Sequence, residues 1–472
     1  MKTPFSVLLT LLFCGPATLF AQVPPPPWAP APPAADVTGR LNQLEAETQS
    51  LRAEVQWMRE HPVRLPTVNT TPTGMAAAPA APEVGQEEYF TLEELRGEMK
   101  KFSWKKGDFS ITPYGSLWTN MVYSTERTSP GSYTLFVQSA NTGPESECIV
   151  DVRNTRLGFD VGGPRIPFFN GAQSGGKVEI DFQNNALNVL SGENKSTVML
   201  RHAYAEVKNE EFRFLVGQTW DVISPLNPGM LLYSVGWDGG NIGYRRAQIR
   251  GERYYALSNV SLVTTQISIN PQVFVDTNSA KTMTGEPSNW PVIEGRTAWT
   301  IGERGKDCLP ITVGLSGHIG EQEFDITSGS QDNRRRTWSG NLDFRMPITE
   351  RLGFQAECFT GENLGTFLGG IGQGIDPVQW NTIRSSGGWC EIWYDWTPSL
   401  HSHVGYSVDD PNDNDVTTVG GKNYNQFYYG NLIYDLTKSF LIGMEVSSWK
   451  TIYVGQLPGD SVRCEFVAKY GF

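Results

Sequence analysis

The sequence predicts an all-β protein: a transmembrane antiparallel β-barrel of about 16 strands, with a short N-terminal α-helical coiled coil. The first reason is the end of the chain, residues 461–472, where apolar and charged residues alternate up to a terminal phenylalanine. The second is that no stretch after the N-terminal region reaches the ~20 apolar residues that a membrane-spanning helix needs. The third is a high content of glycine (49 residues) and aromatic residues (11%), which suits strands that are apolar on one face only.

The last strand has two chemically distinct faces. Successive side chains of a strand point to opposite sides, so the charged residues point one way and the apolar residues the other. The apolar face suits lipid and the charged face suits a wet lumen. This ending resembles the closing strand of bacterial outer-membrane β-barrels, which the barrel assembly machinery reads as a signal. The predicted assembly signal is Phe466, Tyr470 and Phe472, and the one exception to the alternation is Val467.

Residues 1–21 predict a secretory signal peptide, with a basic start at Lys2, an apolar run and a cleavage site that ends at Ala21. Cys14 does not predict a lipoprotein, because Phe13 occupies a position where that signal needs a small residue. Residues 22–36 form a proline-rich spacer, which is extended and has no core of its own. The chain is therefore expected to work in a compartment where disulfides can form.

Residues 37–60 predict a periplasmic coiled coil, because apolar residues recur at alternating steps of three and four. Oppositely charged residues five positions apart, such as Glu47 and Arg52, flank this seam. About three heptads are too short for a stable lone helix, so the seam predicts association with other copies or with a covering barrel domain. An amphipathic helix that lies on its own domain is the alternative. The seam comprises Leu41, Leu44, Thr48, Leu51, Val55 and Met58.

A linker rich in proline, alanine and threonine follows at residues 61–90, and residues 91–107 predict a short helix and a lead-in to the barrel. The helix would start at a capping box formed by Thr91 and Glu94. Residues 108–472 are the predicted outer-membrane β-barrel domain. At roughly 23 residues for each strand with its share of turn or loop, and with an even strand number, this length gives about 16 strands, and about 14 to 18 also fit.

Many of the predicted strands end in aromatic residues, such as Trp389 and Tyr434. Amphipathic rings favour the boundary between membrane and water, so they predict an aromatic girdle. A soluble β-sandwich with these rings in its core is the alternative, and the terminal Phe472 disfavours it. A barrel of this width encloses an aqueous channel unless loops fill it.

Four segments in the first part of the barrel domain carry a specific resemblance. In chain order they are Thr155–Asp160, Leu200–Glu206, Val216–Trp220 and Arg245–Arg250. Together they resemble the DcaP-like family of outer-membrane porins over residues 150–254, while the rest of the chain is similar in pattern and architecture. The resemblance implies a general-porin barrel with an N-terminal coiled coil, a homotrimer and a channel that prefers anions.

The distribution of arginine is the main functional clue. Alternation with apolar neighbours places several arginines on the inward face, where guanidinium groups can hold carboxylates or phosphates loosely enough to pass them on. Two other roles stay open. Acidic residues such as Glu179 and Glu206 can neutralise the arginines in salt bridges within the wall, or the arginines can form trimer contacts. The predicted pore-lining, anion-selective residues are Arg156, Arg213, Arg246 and Arg250.

Other functional classes find little support in the sequence. A net charge of −12 disfavours a nucleic-acid partner. His401 and His403 share a strand face without a third ligand nearby, and the acidic run 409–415 lacks the glycine and glutamate of an EF-hand, so neither predicts a metal site. No cofactor is expected. The cysteines after the signal peptide are scattered and are expected to act as small apolar residues.

The sequence therefore predicts an outer-membrane porin and not an enzyme. Its water-filled channel would transport small hydrophilic, mainly anionic solutes and ions, such as carboxylates or phosphate, by passive diffusion. The expected partners are further copies in a homotrimer, outer-membrane lipid and lipopolysaccharide, and the barrel assembly machinery. Two alternatives stay open. The spacer and coiled coil could tether the outer membrane to peptidoglycan in a structural role, or the barrel could carry an outer-membrane hydrolase site assembled from distant strands.

Overall fold

The computed structural model describes residues 103–142, 144–184, 197–271, 285–286, 290–304, 308–325 and 332–472. The predicted signal peptide, spacer, coiled-coil seam, linker and short helix fall within residues 1–102 and so lie outside the described residues. Within the described ranges, no helix is long and apolar enough to cross a membrane.

Sixteen long strands in the described part of the chain form one closed antiparallel barrel, so the predicted fold class is confirmed. Each strand pairs with the next along the chain, and the last pairs with the first. The second strand consists of two segments that pair with different halves of the first. The strands are β1 (Phe109–Ser124), β2 (Glu147–Asp151 and Arg156–Ile166), β3 (Ala172–Asn184), β4 (Thr197–Lys208), β5 (Phe212–Trp220), β6 (Arg245–Ser258), β7 (Ser261–Asn270), β8 (Val292–Ile301), β9 (Ile311–Asp325), β10 (Asp332–Pro347), β11 (Leu352–Glu362), β12 (Arg384–Thr397), β13 (Leu400–Pro411), β14 (Lys422–Asp435), β15 (Phe440–Tyr453) and β16 (Gly459–Gly471).

The barrel closes where β16 pairs with β1, with Leu117 opposite Tyr470. The chain terminus adds two backbone hydrogen bonds to this seam. The Gly115 amide donates to the Phe472 carbonyl oxygen at 2.9 Å, and the Phe472 amide donates to the Gly115 carbonyl oxygen at 3.1 Å. The Phe472 ring covers Gly115 so closely that a Cβ at position 115 would lie 2.6 Å from the ring. The terminal residue therefore completes the seam and requires glycine opposite it.

The side chains of β16 alternate as the sequence predicts. The three residues of the predicted assembly signal are 42–48% exposed on the outer face, whereas Arg463 and Glu465 are buried on the inner face. Val467 is also buried on the inner face, so the alternation of inward and outward positions continues through it. The same division runs round the barrel, because large apolar side chains such as Leu315 and Met444 are exposed on its outer wall. A wall of this kind fits a lipid environment.

Deleting Phe472 should reduce severalfold the amount of assembled, heat-modifiable barrel in the outer membrane, while export across the inner membrane continues. The deletion removes the two hydrogen bonds that join the terminus to Gly115, together with the terminal ring. The measurement is the heat-modifiable fraction in outer-membrane preparations. Phe472→Tyr keeps both the ring and the backbone and serves as the control. Unchanged barrel levels after the deletion would contradict the assembly role.

The two ends of the barrel differ in the length of their connections. Short turns, such as residues 209–211 and 259–260, join strands at one end, and the long connections 221–244 and 363–383 join strands at the other. In outer-membrane barrels the short turns face the periplasm and the long loops face outward. At the short-turn end, the strand Trp104–Lys106 pairs with the start of β1. The described end of the predicted lead-in is therefore extended.

Three long connections, residues 125–146, 221–244 and 363–383, contact inward-facing residues of the wall. Their apolar side chains form two buried clusters with it. One cluster packs Leu232 with the rings of Phe427 and Trp449, which stack with centroids 3.9 Å apart. The other cluster is Ile223, Ile242, Val292, Phe359, Leu364 and Phe367. The connections thus fill the lumen along the side that β8, β11, β14 and β15 form.

Candidate functional site

The connection 221–244, which we name the inserted loop, narrows the lumen. Its two ends are joined, because the Asp221 amide donates to the Tyr244 carbonyl oxygen at 2.7 Å and the Tyr244 amide donates to Asp221 Oδ2 at 2.8 Å. From there the loop follows the inner wall past β8, β11, β12 and β15. It then reaches β3, where the Tyr233 hydroxyl donates to Asp181 at 2.8 Å.

Arg246, one of the predicted pore-lining residues, lies at the base of the inserted loop. Its Nε donates to Asp221 Oδ1 at 2.7 Å, and its Nη2 donates to the Thr366 carbonyl oxygen at 3.2 Å. The guanidinium also lies over the Phe367 ring, 3.9 Å from its centroid. Arg246 is only 2% exposed. It therefore joins the inserted loop to the connection 363–383.

Arg213 and Arg250, two further predicted residues, share a carboxylate of β6. Arg213 Nη1 lies 3.3 Å and Arg250 Nη1 lies 3.4 Å from Glu252 Oε1. Arg213 also pairs with Glu206 at 2.6 Å. Arg250 donates to the Trp220 carbonyl oxygen as well. Both side chains face inward, and acidic neighbours compensate their charges.

Arg156, the fourth predicted residue, makes no ion pair with a carboxylate within the described residues. Its guanidinium carbon lies 5.3 Å from the centroid of the Trp118 ring, and Lys469 Nζ lies 4.4 Å from the same centroid. Arg156 Nε is buried without a hydrogen-bond partner in the part of the chain that the structure describes. Arg156 and Lys469 remain partly exposed overall. The two cations therefore share one aromatic side chain across β2, β1 and β16.

A β-bulge turns two consecutive residues of β4 inward. The register between β3 and β4 shifts by one residue at Glu179, which lies opposite His202. Both Arg201 and His202 are consequently buried on the lumen side, and Arg201 pairs with Glu179 at 2.7 Å and Asp181 at 2.6 Å. Strict alternation puts one of two consecutive residues outside, so the pattern alone does not place Arg201 in the lumen.

Arg245 is another inward arginine that alternation does not predict. It is 3% exposed and lies against Trp220, Tyr244 and Trp237, at 4.7, 4.8 and 5.8 Å from their ring centroids. Its Nη1 has no hydrogen-bond partner among the described residues. Lys469, by contrast, is placed on the charged face of the last strand by the sequence pattern alone. We name Arg156, Arg201, Arg245 and Lys469 the basic wall.

Aromatic side chains of two connections pack against Arg201 and Arg245, the buried arginines of the basic wall. The passage along the basic wall is therefore the part of the lumen beside Arg156 and Lys469, which are partly exposed. The rings of Tyr133 and Tyr233 lie 5.2 Å apart, and those of Tyr233 and Trp237 lie 6.1 Å apart. Arg201 Nη1 donates to the Tyr233 hydroxyl at 3.4 Å. Guanidinium and ammonium groups beside flat aromatic surfaces can bind anionic groups while the rings exclude part of the water.

Asp376 joins the connection 363–383, to which it belongs, to the connection 412–421. Its carboxylate accepts the backbone amides of Val378, Gln379, Thr417 and Thr418 at 2.7–3.0 Å. Burial alone would raise the pKa of this carboxyl, but the four amide hydrogen bonds outweigh burial and hold the pKa of Asp376 well below its usual range. The contribution of this carboxylate to stability is present above its ordinary pKa and disappears as the pH falls through the lowered value.

The residues that could suggest a metal site have other partners. His401 lies 2.8 Å from Asp395 and 3.2 Å from Asp435, and His403 lies 3.4 Å from Glu391. No group of three or more His, Cys, Asp or Glu residues suited to a metal ion occurs in the described ranges. The five cysteines of these ranges are unbridged.

Comparisons with known proteins rest on structure, since no protein-family profile and no curated protein matches the sequence. The outer membrane channel DcaP of Acinetobacter baumannii superposes with a TM-score of 0.60 and 16% sequence identity, over 78% of this chain and 99% of that chain. The barrel has a DcaP-like porin fold. OprB of Pseudomonas putida gives a TM-score of 0.50 at 9% identity, over 80% of this chain and 97% of that chain. At these identities the DcaP-like likeness concerns the fold.

Proposed function

We propose that this chain is an outer-membrane porin through which small hydrophilic anions, such as carboxylates and phosphate, diffuse passively. Two features support the porin part of the proposal. The DcaP-like fold provides a closed barrel with loops folded into it. The outer wall exposes large apolar side chains, which need a lipid environment.

The anion preference rests on the uneven distribution of charge between the two sides of the lumen. Within the described residues, the four cations of the basic wall have two carboxylate partners, Glu179 and Asp181, and both bind Arg201. Arg156 and Arg245 each retain a guanidinium N–H without a hydrogen-bond partner there. On the opposite side, buried glutamates accept amides of the inserted loop. An anion that passes the basic wall would therefore meet excess positive charge.

We assign the largest share of the selectivity to Arg156, because it is partly exposed and makes no ion pair with a carboxylate among the described residues. The ion pairs of Arg213, Arg246 and Arg250 support the alternative role, in which arginines form salt bridges within the wall. These three residues would then influence selectivity mainly by fixing the shape of the lumen. Lys469 and Arg245 join Arg156 in the proposed site.

The same proposal includes an assembly that the sequence predicts: a homotrimer with a periplasmic coiled coil, inserted by the barrel assembly machinery among outer-membrane lipid and lipopolysaccharide. Cross-linking through a cysteine placed at Leu51 tests the coiled coil, because copies that associate along the seam bring these positions together. An intermolecular product is expected. A barrel that forms trimers without any such product would contradict the coiled-coil assignment.

The test of the function is the reversal potential of single channels in planar bilayers under a KCl gradient. Preference for chloride over potassium is expected. It should be largest at low salt, because the Debye length is about 10 Å at 0.1 M and about 3 Å at 1 M. A barrel that does not conduct would contradict the porin proposal, and a conducting, cation-selective barrel would contradict the anion preference.

A further inference from the structure

Four buried glutamates lie on the inner wall beneath the inserted loop. They belong to four different strands, β8, β11, β12 and β15, and each accepts one backbone amide of the loop. The four hydrogen bonds are Val222 to Glu294 at 2.7 Å, Leu226 to Glu357 at 2.8 Å, Gly229 to Glu391 at 2.6 Å and Leu231 to Glu445 at 2.8 Å. The order of the loop residues follows the order of the strands round the barrel.

The wall also provides donors for the carbonyl oxygens of the loop. Gln355 Nε2 donates to the Asn227 carbonyl oxygen at 3.0 Å, and Asn431 Nδ2 donates to the Gly229 carbonyl oxygen at 2.7 Å. Buried backbone groups need partners, which a neighbouring strand usually supplies. Here side chains of the wall supply them instead. The attachment acts on the loop backbone, so it holds the path of the loop whichever side chains the loop carries.

The glutamates depend on the loop in turn. They are 0–5% exposed. Glu357 and Glu445 have no cation within ion-pair distance among the described residues, and their other partners are neutral: Trp389 Nε1 at 3.2 Å and Asn431 Nδ2 at 3.0 Å. A buried carboxylate without a cation is costly unless hydrogen bonds compensate it. Attachment of the loop therefore gives hydrogen-bond partners both to the loop amides and to the buried carboxyl groups of the wall.

We propose that Glu294, Glu357, Glu391 and Glu445 are positioning residues that hold the inserted loop against one side of the lumen and so keep the passage along the basic wall open. The loop carries Tyr233 and Trp237, which contact Arg201 and Arg245 of that wall. A loop released from its anchors is free to shift along this wall and obstruct the passage beside Arg156 and Lys469. The effect on conductance rests on the proposed porin function, whereas the attachment itself does not.

Amide hydrogen exchange of the folded barrel in detergent micelles tests the attachment directly. In Glu445→Leu, the Leu231 amide should exchange about tenfold faster or more, because it loses its hydrogen bond to the Glu445 side chain. Glu445→Gln keeps an acceptor oxygen and should stay close to the parent protein. Glu350→Gln removes a negative charge in an exposed turn and controls for net charge. Equal exchange of the Leu231 amide in the Glu445→Leu variant and in the parent protein would overturn the proposal.

A change on the loop side gives an independent test if Glu445→Leu fails to fold. Leu226→Pro removes the N–H that Glu357 accepts and leaves the wall intact. Its channels should close more often than those of the parent protein, while the reversal potential of the open state stays the same because the basic wall is unchanged. Unaltered closing in a folded Leu226→Pro barrel would overturn the positioning role. A parent barrel that never conducts would refute the porin proposal. Amide hydrogen exchange would still test whether the four glutamates hold the inserted loop.

Discussion

Replacing both Arg156 and Lys469 by glutamine should move the reversal potential towards cation preference, with a change in the anion-to-cation permeability ratio on the order of tenfold. The two cations lie against the Trp118 ring, are partly exposed and have no carboxylate partner among the described residues. A unit charge about 5 Å from a permeating ion contributes about 0.8 kcal/mol even at the dielectric constant of water. Two such charges act with opposite sign on anions and cations, so the shift exceeds tenfold before salt screens it and falls to this order at moderate salt. The single-channel conductance should change less than the permeability ratio, because glutamine is similar in size to the arginine and lysine that it replaces.

The single variants Arg156→Gln and Lys469→Gln should each give about half of the shift in free energy, since both charges act on the same stretch of the passage. Arg253→Gln is the matched control. Arg253 lies exposed on the outer side of β6, where it pairs with Glu211, so its loss removes one charge without changing the lumen. A double variant with the same reversal potential as Arg253→Gln would reject the basic wall as the origin of anion preference.

The closing strand shows how much of the fold the sequence can predict. A strand that faces lipid on one side and water on the other must alternate, and this constraint fixes the inward position of Lys469 and the outward position of Phe472 from the pattern alone. The barrel class and the strand number follow from the same constraint, repeated over the length of the domain.

Strand alternation does not predict the partners of the four arginines. Alternation gives the face on which Arg246 and Arg250 lie, but not which other groups enter the lumen. Asp221, the partner of Arg246, belongs to a connection whose path depends on hydrogen bonds with distant strands. Arg201 turns inward because a β-bulge shifts the register, and the pattern of apolar and polar residues does not reveal this bulge.

The filled side and the open side of the lumen depend on each other. Apolar clusters and buried glutamates hold the inserted loop near β8 to β15, and Tyr233 of the same loop contacts Arg201 and Asp181 of the opposite wall. The position of the loop therefore determines the width of the passage along the basic wall. Residues with no contact to a permeating ion can thus affect transport through the loop, and Arg246 at its base is one of them.

Replacing Arg246 by glutamine should lower the free energy of unfolding by about 3–5 kcal/mol, the cost of leaving a buried carboxylate without its partner. Asp221 would lose the guanidinium at 2.7 Å, and it would remain beside the wall at the point where Glu294 accepts the Val222 amide. Both members of the ion pair are about 1% exposed in their side chains, so water cannot replace the lost partner. The measurement is denaturant unfolding of the barrel in micelles, followed by tryptophan fluorescence.

Two comparisons separate this structural role from pore lining. Arg253→Gln removes an ion pair on the same strand with side chains 46% and 58% exposed, and it should cost at most about 1 kcal/mol. The double variant Arg246→Gln with Asp221→Asn removes the stranded charge and should recover most of the lost stability. If Arg246→Gln were as stable as Arg253→Gln and shifted the reversal potential instead, Arg246 would line the passage, and the ion pair with Asp221 would not be what holds it in place.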